Sequence, residues 1–385
     1  MRRCALHSAI PVFQLTQLTS IEEIAAGQWD ALAGTTPFLR HAFLAALERS
    51  GAASPATGWT ACHPCLWQDG ILVACAPLYQ KQHGYGEFVF DWAWAEAWER
   101  AGGSYYPKLS CAIPFTPVSG PRLLARDADA RSALLHLMLD FARARDVSSL
   151  HVLFPPAEFS AQYAAAGLMP RQGVQFHWHN RAYRDFEDFL DALTATRRKK
   201  IRQERRRVAT AGVETRVLTG TEIGPAELDL IYRCYANTYH MRGRSPYLSR
   251  QFFDQLQQDM PSALMAVIAY RDQQPLACAF NLYDKERLYG RYWGEIEHVP
   301  LLHFECCYYA GIEWCIAHGL QVFEGGAQGE HKIARGFDPV LTHSAHWIAD
   351  PRFASAVKQW LARESAATAL YLKQLEERES FRPRQ

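Results

Sequence analysis

The stretch Tyr270-Arg271-Asp272-Gln273-Gln274-Pro275-Leu276-Ala277-Cys278-Ala279-Phe280-Asn281-Leu282-Tyr283 decides the fold, because an earlier stretch repeats its pattern. It reads as a strand end, a tight turn and a second strand. In the first half of the chain, Trp67-Gln68-Asp69-Gly70 supplies the same turn, and Ile71-Leu72-Val73-Ala74-Cys75-Ala76-Pro77-Leu78-Tyr79 the same following strand. Each hairpin is followed by a long amphipathic helix and then a short strand. Leu134, Leu135, Met138, Phe141 and Ala142 mark the first helix by their i, i+3, i+4 spacing, ahead of Ser149-Leu150-His151-Val152-Leu153-Phe154. Tyr308, Ile312, Cys315 and Ile316 mark the second, ahead of Leu320-Gln321-Val322-Phe323-Glu324. Two copies of one α/β unit of roughly 150 residues match the usual domain size. The expected boundaries are 12–180 and 181–350, with a C-terminal helix over 351–385.

A helical insert lies between the copies. Phe186 to Leu193 is expected to run unbroken into Thr196-Arg197-Arg198-Lys199-Lys200-Ile201-Arg202-Gln203-Glu204-Arg205-Arg206-Arg207, a basic helix spanning 194–211 that Gly212 stops. A further helix is expected from Pro225 to about Tyr239, and the Ala-, Leu-, Glu- and Lys-rich tail from Phe353 to Glu379 reads as one more. No low-complexity linker separates the copies, so they are expected to pack against each other.

Composition bounds the class. The 385 residues carry 41 Lys+Arg against 40 Asp+Glu, with 49% hydrophobic and 21% charged residues, a soluble globular balance. The net charge of +1 argues against a dedicated nucleic-acid binder while leaving room for a local basic patch. Met1-Arg2-Arg3-Cys4-Ala5-Leu6-His7 opens like a signal peptide, but His7, Pro11 and Gln14 interrupt the apolar run that one requires. No window has the apolar length of a membrane span. Cys75, Cys278, Cys306, Cys307 and Cys315 lie in apolar runs, as buried reduced thiols do. The expected location is the cytoplasm, with the inner membrane surface as a peripheral alternative.

Four stretches resemble a known family. Ser119-Gly120-Pro121-Arg122 precedes a helix and strand that end in Phe154-Pro155-Pro156. The basic helix closes in Ala209-Thr210-Ala211-Gly212-Val213-Glu214. Leu288-Tyr289-Gly290-Arg291-Tyr292-Trp293-Gly294 leads into the second long helix. The last runs Phe323-Glu324-Gly325-Gly326-Ala327-Gln328-Gly329-Glu330-His331-Lys332-Ile333-Ala334-Arg335-Gly336-Phe337. In order and spacing these resemble the Fem peptidyltransferases, tandem domains of the Gcn5-related N-acetyltransferase (GNAT) superfamily, over roughly residues 37 to 348. The likeness is nearest to the FemAB-like subgroup labelled for peptidoglycan biosynthesis or recognition. It implies an α/β fold of two GNAT-like domains with mixed central sheets flanked by helices. The implied activity is transfer of an acyl or aminoacyl group to an amine, without metal. The donor stays open among acyl-CoA, an acyl carrier protein and aminoacyl-tRNA. The sequence has neither the long coiled-coil arm of some Fem proteins nor a Gln/Arg-x-x-Gly-x-Gly/Ala pyrophosphate loop. A non-catalytic protein that binds peptidoglycan fragments or acidic partners is the remaining alternative.

Such a reaction needs donors for a developing oxyanion, a proton acceptor and a hold on the donor's phosphates. The resemblance places the site where the central strands splay, at the ends of 288–294 and 321–325. Glu324, Glu330, His331 and His343 are the candidate acid–base residues. Gly325 and Gly326 would let substrate approach the backbone, Lys332 and Arg335 would neutralise phosphate or oxyanion, and Arg291, Tyr292 and Trp293 would line the pocket. The basic helix, with eight Lys/Arg and one Glu from Arg197 to Arg207, offers Lys199, Lys200 and Arg202 to a phosphate-bearing donor or a lipid- or nucleotide-linked acceptor. The aromatic insertion Tyr85, Phe88, Phe90, Asp91, Trp92, Trp94, Tyr105 and Tyr106 is expected to line an acceptor groove, with Asp91 and Trp92 in contact, or else to pack between the halves. His343 and His346 stand three apart and point to opposite faces of a strand. His177 and His179 share a face, yet no carboxylate or Cys lies close by in sequence, so neither pair predicts a metal site. Cys62-His63-Pro64-Cys65 enters a hairpin rather than a helix, which predicts structural thiols and not a redox pair.

Overall fold

A computed structural model describes residues 13–326, 329–378 and 380–381. The opening Met1–His7 segment, Ala327, Gln328 and Glu379 lie outside the described residues. Fifteen strands are described: β1 Gln14–Leu18, β2 Trp59–Ala61, β3 His63–Gln68, β4 Ile71–Cys75, β5 Leu78–Lys81, β6 Lys108–Cys111, β7 Leu124–Ala125, β8 Ser149–Leu153, β9 Met169–His179, β10 Val213–Thr219, β11 Leu264–Arg271, β12 Gln274–Tyr283, β13 Arg287–Glu295, β14 Val322–Glu324 and β15 Asp338–Ile348. Eleven of them form one sheet, in the order β10-β11-β12-β13-β14-β9-β15-β8-β6-β5-β2.

That order reads alike in both directions from its middle. β9 and β15 pair antiparallel at the centre. Going outward on either side comes an antiparallel neighbour (β14 or β8), then a parallel one (β13 or β6), then two antiparallel ones (β12 and β11, or β5 and β2), and β10 adds a third on the β9 side. The fold is a mixed α/β sheet flanked by helices, with two similar halves joined edge to edge through β9 and β15.

Both diagnostic hairpins form, on two-residue turns. Asp69 and Gly70 have φ of 51° and 76°, and Asp272 and Gln273 have φ of 50° and 61°, the paired positive φ that matches the strand twist. The first copy departs from the expected continuous strand. Its hairpin breaks at Cys62 and again at Ala76-Pro77, so β3 and β4 peel away into a small sheet, β1-β3-β4-β7, while β2 and β5 stay in the large one. Pro64 and Pro77 have no N–H to donate to a ladder. The joint is held by Ala76 N–H donating to the Pro64 carbonyl at 3.2 Å and Cys62 N–H to the Leu78 carbonyl at 2.9 Å.

Alternation along the second-half strands fills two cores. Ala266, Ile268, Cys278 and Phe280 pack under helices Pro225–His240 and Arg250–Asp259. Met265, Val267, Ala269, Ala277 and Ala279 pack on the other face with helices Phe186–Ala192 and Ala195–Thr210. The last two were expected as one helix. Leu193 is instead extended (φ −81°, ψ 159°), and Thr194 N–H donates to the Ser380 carbonyl at 2.9 Å, so the chain tail interrupts them. The helix after β13 begins at Leu302–Phe304, passes through a π-helical turn, Glu305–Tyr309, and continues as Ala310–Ala317. The C-terminal helix spans Pro351–Glu376, capped by Asp350. No helix among the described residues is long and apolar enough to cross a membrane.

Candidate active site

The site grows from the end of β13. β14 pairs with β13 only over Arg287–Tyr289, so from Gly290 onward one edge of β13 faces no strand among the described residues. On its other edge β13 bulges: Asn281 stands opposite Gly290 and Phe280 opposite Tyr292, leaving Arg291 as the extra residue. A bulge re-aims side chains and is common beside active sites. Helix Pro225–His240 presses onto this stretch, with Thr238 Oγ1 donating to the Trp293 carbonyl and Asn237 Nδ2 to that of Glu295, both at 2.7 Å.

Beside the bulge lies a cavity of about 780 Å³. Its floor is the middle of the β9·β15 pairing, where Gly173 faces Thr342 and their neighbours Gln172, Gln175, His343 and Ser344 also reach the space. A Cβ at residue 173 would stand 3.0 Å from Thr342 Oγ1, so glycine keeps the floor open there. Tyr85, Phe88, Phe90 and Trp92 form one wall; Tyr235, Tyr239, Tyr247, Tyr292 and Trp293 the opposite one; Tyr371 and Thr368 of the C-terminal helix close an end. Four arginines line it. Arg171 is spent on Glu364 (2.8 and 2.9 Å) and on the Phe90 carbonyl, and Arg291 donates to the Phe115 carbonyl at 2.6 Å. The guanidinium groups of Arg242 and Arg244 have no hydrogen bond or ion pair among the described residues, and only the backbone N–H groups of these residues are engaged, on the Tyr239 carbonyl. The cavity's open charge is therefore positive, set among aromatic faces, as an anionic substrate with apolar parts would require.

Several residues predicted from sequence do meet here: Arg291, Tyr292, Trp293, Trp92 and His343 all line the cavity. Others sit elsewhere. Glu324 is buried at the end of β14, receives Arg287 Nη1 at 3.0 Å and stands 3.9 Å from His177 Nε2. Burial pushes its carboxyl up to about 7, against the pull of Arg287. Gly326 lies at a φ of 86°, which favours glycine, and Gly325 leaves room for the Phe337 ring, 2.7 Å from where a Cβ would be. Lys332 is buried, donates to the Gly326 carbonyl at 2.8 Å, and is lowered by that burial to about 8. It staples the glycine loop.

Three expected roles are corrected. Arg335 does not face solvent for a phosphate. It is 3% exposed, donates to both Glu204 oxygens at 2.8 and 2.9 Å and to Tyr309 Oη at 3.0 Å, and stacks on Phe304. Glu330 is tied outward to Tyr371 (2.8 Å) and Arg378. Asp91 is not the polar handle of a groove, because it is buried in an ion cluster with Lys108, Glu87 and Tyr105. Those carboxylates outweigh burial and hold Lys108 above its ordinary value. His331 is exposed and shares a 2.9 Å hydrogen bond with Tyr308 Oη.

The basic helix has two faces. Ile201, Glu204 and Val208 are buried, whereas Lys199, Lys200, Arg206 and Arg207 are exposed and without an ion pair among the described residues; Arg202, also exposed, pairs with Glu187. His343 and His346 point apart, as three-residue spacing on a strand requires. His343 faces the cavity, while His346 is buried 2.6 Å from His151. Among the described residues no three His, Cys, Asp or Glu side chains gather as metal ligands. Cys62 and Cys65 are buried, which pushes both thiols up to about 12. Tyr85, Phe88, Phe90 and Trp92 line the cavity, whereas Trp94 and Tyr105 pack with the C-terminal helix. His303, Arg242, Arg244 and Gln175 also line it, and nothing in their local sequence marked them out.

The fold is similar to the crystal structure of FemX, with a TM-score of 0.55 at 12% identity over 87% of this chain and 98% of that one. It is similar to a C-terminal domain assigned to a lysylphosphatidylglycerol synthetase of Agrobacterium fabrum (0.55, 10%, 89% and 97%). It also resembles L-PGS from Bacillus licheniformis (0.50, 12%, 83% and 96%). At these identities the likeness is one of fold. No curated protein matches the chain in sequence. A family model described as peptidoglycan biosynthesis/recognition matches residues 20–383, nearly the whole length. The chain belongs to the FemAB-like family.

Proposed function

We propose that this protein is an N-acyltransferase of cell-envelope metabolism, moving an acyl or aminoacyl group from an activated thioester or ester to an amine held in the cavity. The observation that carries this reading is the cavity's position against a bulged strand with one unpaired edge, in a FemAB-like chain. Edge N–H groups of a rigid strand are suited to receive a carbonyl oxygen as it becomes an oxyanion. Acyl-CoA or an acyl carrier protein is the first choice of donor, since Arg242 and Arg244 offer open positive charge to its phosphates. The acceptor is a small-molecule, lipid-linked or nucleotide-linked amine. In this reading Arg291, Tyr292, Trp293 and Trp92 contact substrate. Residues 12–180 and 181–350 act as the two domains, and the helix Pro351–Glu376 closes one end of the cavity.

Amine attack forms the new C–N bond while the ester or thioester bond breaks. The amine proton passes to a base and then to the leaving group. A second reading uses aminoacyl-tRNA as donor, and the unpaired cationic face Lys199, Lys200, Arg206 and Arg207 favours it. The test is incubation of the purified chain with acyl-CoAs, acyl carrier protein or charged tRNA and a panel of amines, with products read by mass spectrometry. A product with the first two donors supports the proposal, and RNase-sensitive product supports the second reading. Ligand binding without any product makes the chain a binding protein.

A further inference from the structure

We infer that His303 is the proton acceptor for the attacking amine, an assignment that rests on the acyl-transfer reading of the cavity. His303 sits on the first turn of the helix after β13 and lines the cavity beside the bulged stretch of that strand. Its ring packs edge-on against Trp293 (5.4 Å between centroids, 80°) and Tyr308 (5.4 Å, 90°), and lies 5.5 Å from Phe304. Three aromatic contacts therefore fix its orientation. Yet neither ring nitrogen has a hydrogen-bond partner among the described residues, so both stay available to a ligand.

The other candidates are committed elsewhere or held loosely. His331 is bonded to Tyr308, Glu330 to Tyr371 and Arg378, and Glu324 to Arg287 away from the cavity lining. His343 lines the cavity, but no aromatic ring or hydrogen bond among the described residues orients its side chain. The charges facing His303 come from the 330–335 turn: His331, Lys332 and Arg335. Burial first, and these charges after it, lower the imidazole to about 4. At neutral pH it is uncharged and able to take a proton. As the amine nitrogen bonds to the carbonyl carbon, its N–H proton moves to a free His303 nitrogen. As the C–O or C–S bond breaks, that proton passes to the leaving oxygen or sulfur, and the imidazole returns to its starting form.

The test compares His303→Gln, His303→Ala and His343→Gln with the wild type under saturating substrates from pH 5 to 9. His303→Gln is expected to lower kcat roughly 100-fold or more, with both KM values and the melting temperature little changed, whereas His343→Gln loses less than about tenfold. Added imidazole is expected to restore His303→Ala, which a packing role would not permit. The assignment is overturned if His303→Gln keeps about a third of wild-type kcat, if the loss falls on KM, or if imidazole restores nothing. A wild-type chain that transfers no acyl group overturns the underlying reading as well, and shows itself before any variant is compared.

Discussion

Replacing Arg335 separates a scaffold role from a phosphate-binding one. Its guanidinium is 3% exposed and holds Glu204 by two bonds of 2.8 and 2.9 Å, Tyr309 Oη at 3.0 Å and the His331 carbonyl at 2.8 Å. It thus ties the basic helix, the π-helical turn and the 330–335 turn together. Arg335→Ala leaves the buried Glu204 carboxylate without a counter-charge, holding only its hydrogen bond from Tyr309 Oη, a loss of roughly 3–5 kcal/mol. For 385 residues unfolding as one unit, the melting entropy is about 0.8 kcal/mol per kelvin. About 4 kcal/mol then lowers Tm by about 5 °C. The assay is differential scanning calorimetry of the wild type, Arg335→Ala, Glu204→Met and the double variant Glu204→Met/Arg335→Met. In the double variant no buried charge is stranded, so much of the loss should return. If Arg335→Ala melts within 1 °C of wild type and instead weakens donor binding, the scaffold reasoning is wrong and the residue faces phosphate.

Three further outcomes are expected. Glu324 has an ordinary value of 4.5 in the unfolded chain and about 7 when folded, because burial favours its protonated form. Its contribution to stability is whole below about pH 4.5 and is lost as pH rises through 7. Glu324→Gln should therefore gain about 3 kcal/mol on the wild type between pH 4.5 and 8, and parallel melting curves over that range would refute it. Gly294→Ala puts a Cβ 1.8 Å from the Cys234 carbonyl oxygen, a backbone atom that cannot yield. Soluble yield should collapse, whereas Gly290→Ala, whose nearest neighbour would be at 3.4 Å, should fold. Lys199→Glu/Lys200→Glu reverses two exposed charges that have no ion pair among the described residues, so Tm should stay within about 1 °C. Donor KM should rise and lose its salt dependence if the helix meets a phosphate-bearing donor.

What the sequence made legible was local. The turns at Asp69-Gly70 and Asp272-Gln273, the periodic apolar stripes and the basic helix each follow from residues within a few positions of one another. The split of the first hairpin was harder, because Pro64 and Pro77 look tolerable in an edge strand and only the sheet order shows where β3 and β4 leave. The helix break at Leu193 depends on Ser380, nearly two hundred residues away. The site shows the same limit. Arg291, Tyr292, Trp293, Trp92 and His343 were found because they lie on a strand end, an aromatic run or a motif. The cavity itself comes from segments near residues 85–92, 171–175, 235–247, 303 and 342–344 that converge only in the folded chain. Asp91 and Arg335 were misplaced for a related reason: a charged residue in a loop or insertion reads as solvated until its buried partner, Lys108 or Glu204, is seen.

The claim that matters most is that acyl transfer takes place in the cavity over the β9·β15 pairing. Gln172 lies on its floor and is partly exposed, so Gln172→Trp should fill the space without unsettling either core. Mass spectrometry of an amine acceptor incubated with donor and either protein measures the claim directly. Acylated product from the wild type, with none from a Gln172→Trp variant that melts at the wild-type temperature, is the expected result. Equal product from both proteins, or no product from the wild type with any donor class, would contradict it.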